Sequence, residues 1–282
     1  MWPALLFAAK AAPRRLRVMH TPPRKRCGFS KRILDALAPL RCRLCEQPSD
    51  TGLSLCALCR SQLLRNRPAC RHCALPLPLP FSASEADLDR ERLCPECQRN
   101  PGAIACTVAP FIYEAGIGFL IHRWKYHGES RLAPTLGRLW LDAARPEIER
   151  TQIDIIAPVP LHWRRFVQRG FNQSADLAAV LARALDLPLD RRLLRRPRAT
   201  PPQARAGRLQ RQRVLEDSFS LVTPPQGARV AVIDDVCTTG ATAAAVAATL
   251  RAGGVREVQL WCLARTPDQR WPGRPPGRNQ YE

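Results

Sequence analysis

Arg229-Val-Ala-Val-Ile-Asp-Asp-Val-Cys-Thr-Thr-Gly-Ala-Thr242 sets the architecture of the C-terminal two-thirds of the chain. Residues 229–233 form a continuous apolar run rather than an alternating one, as in a strand buried on both faces of a parallel sheet. Two acids, Asp234 and Asp235, stand at its end. A loop of small residues follows, and then an Ala-rich helix over 242–251 that Gly253 and Gly254 stop. Open α/β sheets bind ligands at this edge, where strands end and helices begin. Backbone N–H groups and hydroxyls of Thr238, Thr239, Gly240, Ala241 and Thr242 precede the helix, and such an arrangement cradles phosphate. Carboxylates with no basic neighbour suit ribose hydroxyls and Mg²⁺. The loop has neither the G-x-x-x-x-G-K nor the G-x-G-x-x-G spacing. Cys237, close to the helix start, is expected to have a depressed thiol pKa.

The pattern repeats outward from this stretch. Strands are predicted over 107–113, 153–158 and 257–264. Helices are predicted over 117–126, 131–149 and 173–186, the last with Leu177, Val180, Leu181 and Leu185 on one stripe. This alternation predicts an α/β fold with a parallel sheet covered by helices. Hydrophobic residues make up 45% of the 282 residues, enough to build a core. No apolar run reaches the ~18 residues of a membrane span, and no secretory signal is evident, so the expected location is cytoplasmic, without membrane insertion.

Twelve cysteines are present, and eight fall into four C-x-x-C pairs: Cys42/Cys45, Cys56/Cys59, Cys70/Cys73 and Cys94/Cys97. Each pair aims two thiolates at one point, and two pairs complete a tetrahedral Zn²⁺ site. Four pairs predict two structural zincs with no open coordination position. Both sequential and cross-braced pairings fit the spacing. So short a segment has little core of its own, so chelation is expected to unfold residues 42–97 and leave the rest folded.

The net charge of +20 is concentrated in two places. Residues 1–40 carry nine Lys/Arg against one acid, and residues 191–220 carry nine against two. Such blocks are solvated and handle anions. Only four of the 44 cations are Lys, and Lys125 is the one beyond the N-terminal tail. Its retention points to a need for a compact ammonium.

Val-Ile-Asp-Asp-Val-Cys-Thr-Thr-Gly-Ala-Thr resembles the 5-phosphoribosyl-1-pyrophosphate (PRPP) loop of type I phosphoribosyltransferases. Arg169-Gly-Phe-Asn-Gln173, following Pro158-Val-Pro-Leu161, is similar to the signature of ComF-family proteins, as is the double zinc ribbon. The resemblance covers about residues 33–266. It implies a basic disordered tail over 1–32, a double zinc ribbon over 33–100, a type I phosphoribosyltransferase-like domain over 101–266 with helices on both sheet faces, and a flexible tail over 267–282. By the same resemblance Asp234 and Asp235 face ribose and metal, residues 238–242 hold the 5-phosphate, and Val159, Pro160 and Leu161 form the pyrophosphate loop. Arg169 and Asn172 stand near it, Lys125 matches a family lysine, Arg213 lies in a basic hood running from Arg198 to Phe219, and Lys125, Arg169 and Arg213 are the catalytic residues the resemblance implies. Val214 stands where that family usually has Asn.

The implied functions are three. One is a competence protein for external DNA, with a Mg²⁺-dependent PRPP or nucleotide site and basic surfaces for single-stranded DNA, working beside a competence helicase or DNA-processing proteins. The second is an active phosphoribosyltransferase with an unidentified acceptor. The third is a PRPP-sensing regulator.

Overall fold

The computed structural model of the chain describes residues 40–78, 92–149, 151–197 and 218–268. The basic tail, Cys27, the middle of the 75–92 loop, Arg213 with most of the hood, and the chain beyond Asp268 lie outside these residues.

The two longest strands, β6 (Arg229–Cys237) and β7 (Glu257–Arg265), pair in parallel along their whole length, from Arg229 opposite Glu257 to Cys237 opposite Arg265. Nine residues each, they are longer than the apolar runs suggest, because pairing carries β6 on through Asp234 and Asp235. Beyond β7 lie β1 (Cys106–Val108) and β2 (Phe111–Ile112), in one common register with it. The single strand predicted over 107–113 is broken where Pro110 lacks the N–H that a ladder needs. On the other side of β6 lies β3 (Ile155–Pro158). Among the described residues the sheet is five-stranded and parallel, in the order β1–β7–β6–β3 with β2 also on β7. Leu189 adds a bridge to Ile156 on the outer edge of β3. A short antiparallel pair, β4 (Leu194–Arg195) and β5 (Ser220–Leu221), stands apart.

Successive residues of a strand face opposite sides, and here both sides are buried. Ala231, Ile233, Trp261 and Leu263 pack with Trp124 of α3 (Ala115–Tyr126), Leu136 and Trp140 of α4 (Leu132–Ile148), and Leu177 and Leu181 of α6 (Gln173–Leu185). Val230, Val232, Val258 and Leu260 pack with Val246, Ala247 and Leu250 of α7 (Ala241–Ala252). Helices thus cover both faces, and each fully buried large apolar side chain stabilises the fold by about 1.5–3 kcal/mol. Close approach of α4 to α6 depends on Gly137: a Cβ there would lie 2.4 Å from Val180 Cγ1.

Among its described residues the cysteine segment carries short helices, α1 (Ala57–Ser61) and α2 (Pro95–Arg99). Its apolar side chains do not form a separate core. Cys42, Leu55, Cys59 and Leu63 belong to the same cluster as Trp124, Trp140 and Trp261. Polar contacts add to this, with Ser54 N–H donating to Thr135 Oγ1 at 3.1 Å and Arg60 paired to Asp142 at 3.1 Å. Independent unfolding of the ribbon, expected from sequence, does not fit a shared core. Among the described residues no helix is long and apolar enough to cross a membrane.

Candidate functional site

β3 stops at Pro158, opposite Ile233, whereas β6 runs four residues further. The chain leaving β3 turns away through Val159, Pro160 and Leu161 into α5 (Trp163–Arg169). Neighbouring strand ends thus part beside Asp234 and Asp235, the place where open α/β sheets form a ligand crevice. Val159 N–H still bonds Ile233 O at 2.9 Å, and Asn172 Nδ2 donates to Val159 O at 3.1 Å. The Asn172 side-chain oxygen Oδ1 accepts from Ser174 N–H at 3.0 Å and caps α6. One side chain thus sets both the start of α6 and the position of the 159–161 turn.

Asp234 Oδ1 accepts from Ser174 Oγ at 3.0 Å and from the Asp235 N–H at 2.9 Å. Burial, with the Asp235 charge adding to it, raises the Asp234 carboxyl to about 7. Asp235 pairs with Lys125 Nζ at 2.9 Å, both side chains being 15% exposed. Burial works against the Lys125 charge, but the Asp235 carboxylate more than offsets it and the ammonium pKa is raised. Against the expectation from sequence, the acids therefore have a basic neighbour, since Lys125 pairs with Asp235; the two adjacent carboxylates still offer oxygens of the kind that suit a divalent cation or the hydroxyls of a sugar.

The loop after β6 leads straight into α7. Gly240 is its N-cap, with φ +79°, a left-handed conformation that favours glycine. Thr238 and Thr239 are exposed, and Ala241 and Thr242 occupy the first turn. Cys237 corrects a sequence expectation: it is buried, and burial raises its thiol pKa despite the nearby helix start and the Arg265 charge. Arg169, at the end of α5, lies over the Tyr126 ring at 5.0 Å. Tyr126 follows Lys125 in α3 and is 61% exposed. The structure therefore gathers Lys125, Asn172, Asp234, Asp235 and the 159–161 turn, with Arg169 stacked on the residue next to Lys125. Arg213 lies outside the described residues.

Sequence reasoning missed Ser174, Tyr126 and Arg265. Ser174, in the first turn of α6 beside the Asn172 cap, carried a usable signal. Arg265 carried none, since a cation ending an apolar strand reads as a solvated terminus.

Among the described residues the thiols fall into two groups, Cys42, Cys45, Cys56, Cys59 and Cys70, Cys73, Cys94, Cys97, each with its sulfurs within 4.8 Å of one another. This is the sequential pairing. Cys45 and Cys56 Sγ are 3.7 Å apart, as are Cys73 and Cys94 Sγ. A tetrahedral site with Zn–S bonds of about 2.3 Å has sulfur–sulfur edges of about 3.8 Å. The donor sets therefore fit zinc. The hydrogen bond between Cys73 and Cys70 lowers the Cys70 thiol and raises that of Cys73, with burial adding to the rise at Cys73.

Comparison with known proteins matches residues 33–98 to the double zinc ribbon domain. The DNA utilization protein YhgH of Escherichia coli O157:H7 is 34% identical over 232 residues, which is 81% of this chain and 98% of that protein. Competence protein F of Haemophilus influenzae is 32% identical over 217 residues, 75% of this chain and 90% of that protein. Among solved structures, glutamine PRPP amidotransferase from B. subtilis aligns at 18% identity over 49% of this chain and 26% of that chain, with a TM-score of 0.31. That last likeness is too low to decide anything. With a double zinc ribbon, a parallel α/β sheet behind it, and two relatives aligned over nearly their whole lengths, the chain belongs to the ComF family.

Proposed function

We propose that the chain serves DNA utilization of the competence type, and that its crevice binds PRPP or a nucleotide with Mg²⁺. The observation that carries this reading is the Asp234–Asp235 pair. It is held by Ser174 and Lys125 where β6 overruns β3, two residues before a loop that opens α7. Asp234 and Asp235 would hold the ribose hydroxyls and, with them, Mg²⁺, which supplies charge neutralisation for pyrophosphate when bound. Residues 238–242 would take the 5-phosphate on their N–H groups. The 159–161 turn would face the pyrophosphate, with Lys125 and Arg169 alongside. Calorimetric titration of the zinc-loaded chain with PRPP should show binding that requires added Mg²⁺. Absence of binding to PRPP, ribose 5-phosphate and nucleotides alike would remove the reading. Pyrophosphate release on adding candidate acceptors would mark the site as a transferase, in which an acceptor displaces pyrophosphate from the ribose C1.

A second reading, that single-stranded DNA binds at the rim, is favoured by one observation. Trp163 (60% exposed) and Phe166 (50% exposed) on α5 present exposed rings, whereas Arg169 covers the Tyr126 ring. Bases stack on such rings for about 1–3 kcal/mol each, without regard to sequence. Replacing Trp163 and Phe166 together by Ala should weaken oligo(dT) binding about thirtyfold or more. The salt slope should stay unchanged, since no phosphate contact is removed. Unchanged affinity would place DNA elsewhere, on the basic segments 1–40 and 191–220.

A further inference from the structure

One buried cation joins the second zinc knuckle to the loop that opens α7. Arg265, the last residue of β7, is 8% exposed. Its donors go to four main-chain carbonyls. Nε bonds Cys73 O at 2.9 Å, and Nη1 reaches Cys237 O at 3.1 Å, Thr266 O at 2.7 Å and Thr238 O. A buried guanidinium is tolerated only while such bonds are made.

The two ends of this contact matter for different reasons. Cys73 belongs to the second cysteine group, and its knuckle is seated on the sheet edge. Carbonyls of Arg71, His72 and Cys73 accept in succession from Thr107 N–H, Thr107 Oγ1 and Arg265 Nε. A metal held by Cys70, Cys73, Cys94 and Cys97 fixes the turn that aims the Cys73 carbonyl. At the other end, a trans peptide sets its C=O and the next N–H in opposite directions. With the Cys237 and Thr238 carbonyls drawn to Arg265, the N–H groups of Thr238 and Thr239 point away from it. Successive N–H groups so directed make an anion-binding concavity. The first cysteine group has different neighbours: Leu44 and Leu63 pack near Gly116 of α3, and Arg43 pairs with Glu129 at 3.4 Å.

We infer that Arg265 is a positioning residue that couples occupancy of the second zinc site to the order of the 238–242 loop, and so to its affinity for a phosphate-bearing ligand. The coupling makes the second zinc a regulatory element. Loss of that metal, by chelation or thiol modification, loosens the loop without touching Asp234 or Asp235. The ligand half of this inference rests on the phosphate reading of the loop proposed above.

The test uses the full zinc-loaded chain and the variants Cys97→Ser, Arg265→Gln, Arg265→Lys and the Cys97→Ser/Arg265→Gln double. Zinc content, amide hydrogen exchange of the free protein and calorimetric PRPP affinity with Mg²⁺ are read together. Cys97→Ser should lower zinc from two to one per chain. It and Arg265→Gln should each speed exchange at 238–242 at least tenfold, leave 230–233 protected, and weaken PRPP binding about tenfold. Arg265→Lys, a single point charge that cannot span both sides, should behave like the Gln variant. The double variant should be no worse than either single one, as for two steps of one linkage. Unchanged loop exchange in a one-zinc Cys97→Ser chain, or effects that multiply in the double, would overturn the coupling. Should Cys97→Ser lose protection at 230–233 as well, Arg265→Gln with both zincs retained decides, and a loop as protected as in the parent protein defeats the inference. Should the parent fail to bind PRPP, the loop exchange still decides the coupling, and only the phosphate reading falls.

Discussion

Replacing Cys59 by Ser should destabilise the α/β layers together with the ribbon, by about 4–5 kcal/mol or more, the range seen when a structural metal site is lost. Domains are stable by only about 5–15 kcal/mol, so this is a large fraction of the total. Cys59 and Cys42 are buried in the cluster that holds Trp124, Trp140 and Trp261, the last three at most 1% exposed. Once the first metal is gone, the Cys42–Cys59 segment no longer keeps Leu55 and Leu63 in that cluster, and the shared face of α3 and α4 loses its cover. Tryptophan emission should therefore shift to the red as zinc is released by a chelator, in step with thiol exposure. Native emission and an unchanged melting temperature after complete loss of both metals would mean that the ribbon folds independently after all.

Asp234→Asn should have two opposite effects. In the free protein it should stabilise, by on the order of 1–3 kcal/mol at pH 8, because it removes a carboxylate that burial and Asp235 hold at about 7. The sign follows from proton linkage. Between the ordinary carboxylate value of 3.8 and about 7 the folded state holds more protons than the unfolded one. The parent's stability contribution from this group therefore falls as pH rises through that window. The advantage of the Asn variant should shrink on going from pH 8 to pH 5. Toward PRPP with Mg²⁺ the same change should cost on the order of 3–5 kcal/mol, roughly two to four orders of magnitude in affinity, as when one side of a desolvated charged contact is removed. Thermal melts at the two pH values and one calorimetric titration check both halves. A variant less stable than its parent at pH 8 would show that the acid pair is a structural contact. Parent-like PRPP affinity would show that the crevice is not the ribose site.

Local chemistry was enough for much of this molecule. A strand buried on both faces needs continuous apolar residues, so β3, β6 and β7 are written in runs that cannot be placed elsewhere. The helices α3, α4, α6 and α7 follow from periodic stripes and a glycine stop. Thiol pairs at C-x-x-C spacing identify zinc ligands because few other arrangements use them in that number. The Asp-Asp-then-loop order places the acids near the C-terminal end of their strand, just ahead of a helix start. Helix α5 was not legible: Trp163, Phe166 and Val167 are apolar and exposed, so they obey no burial pattern.

Other features depend on groups far apart in the chain, and only the tertiary structure decided them. Which thiols share a metal depends on where the knuckles meet, and spacing permits two answers. The reach of β6 through its two acids is set by pairing to β7, since local preference would end the strand at the first charge. The Cys237 thiol is raised rather than lowered because burial outweighs a helix start. Membership of the ribbon in the main core, and the bridge from Cys73 to Thr238 through Arg265, join residues up to 192 positions apart. No local rule can state such contacts, because their energies exist only once desolvation and packing have brought both partners to one place.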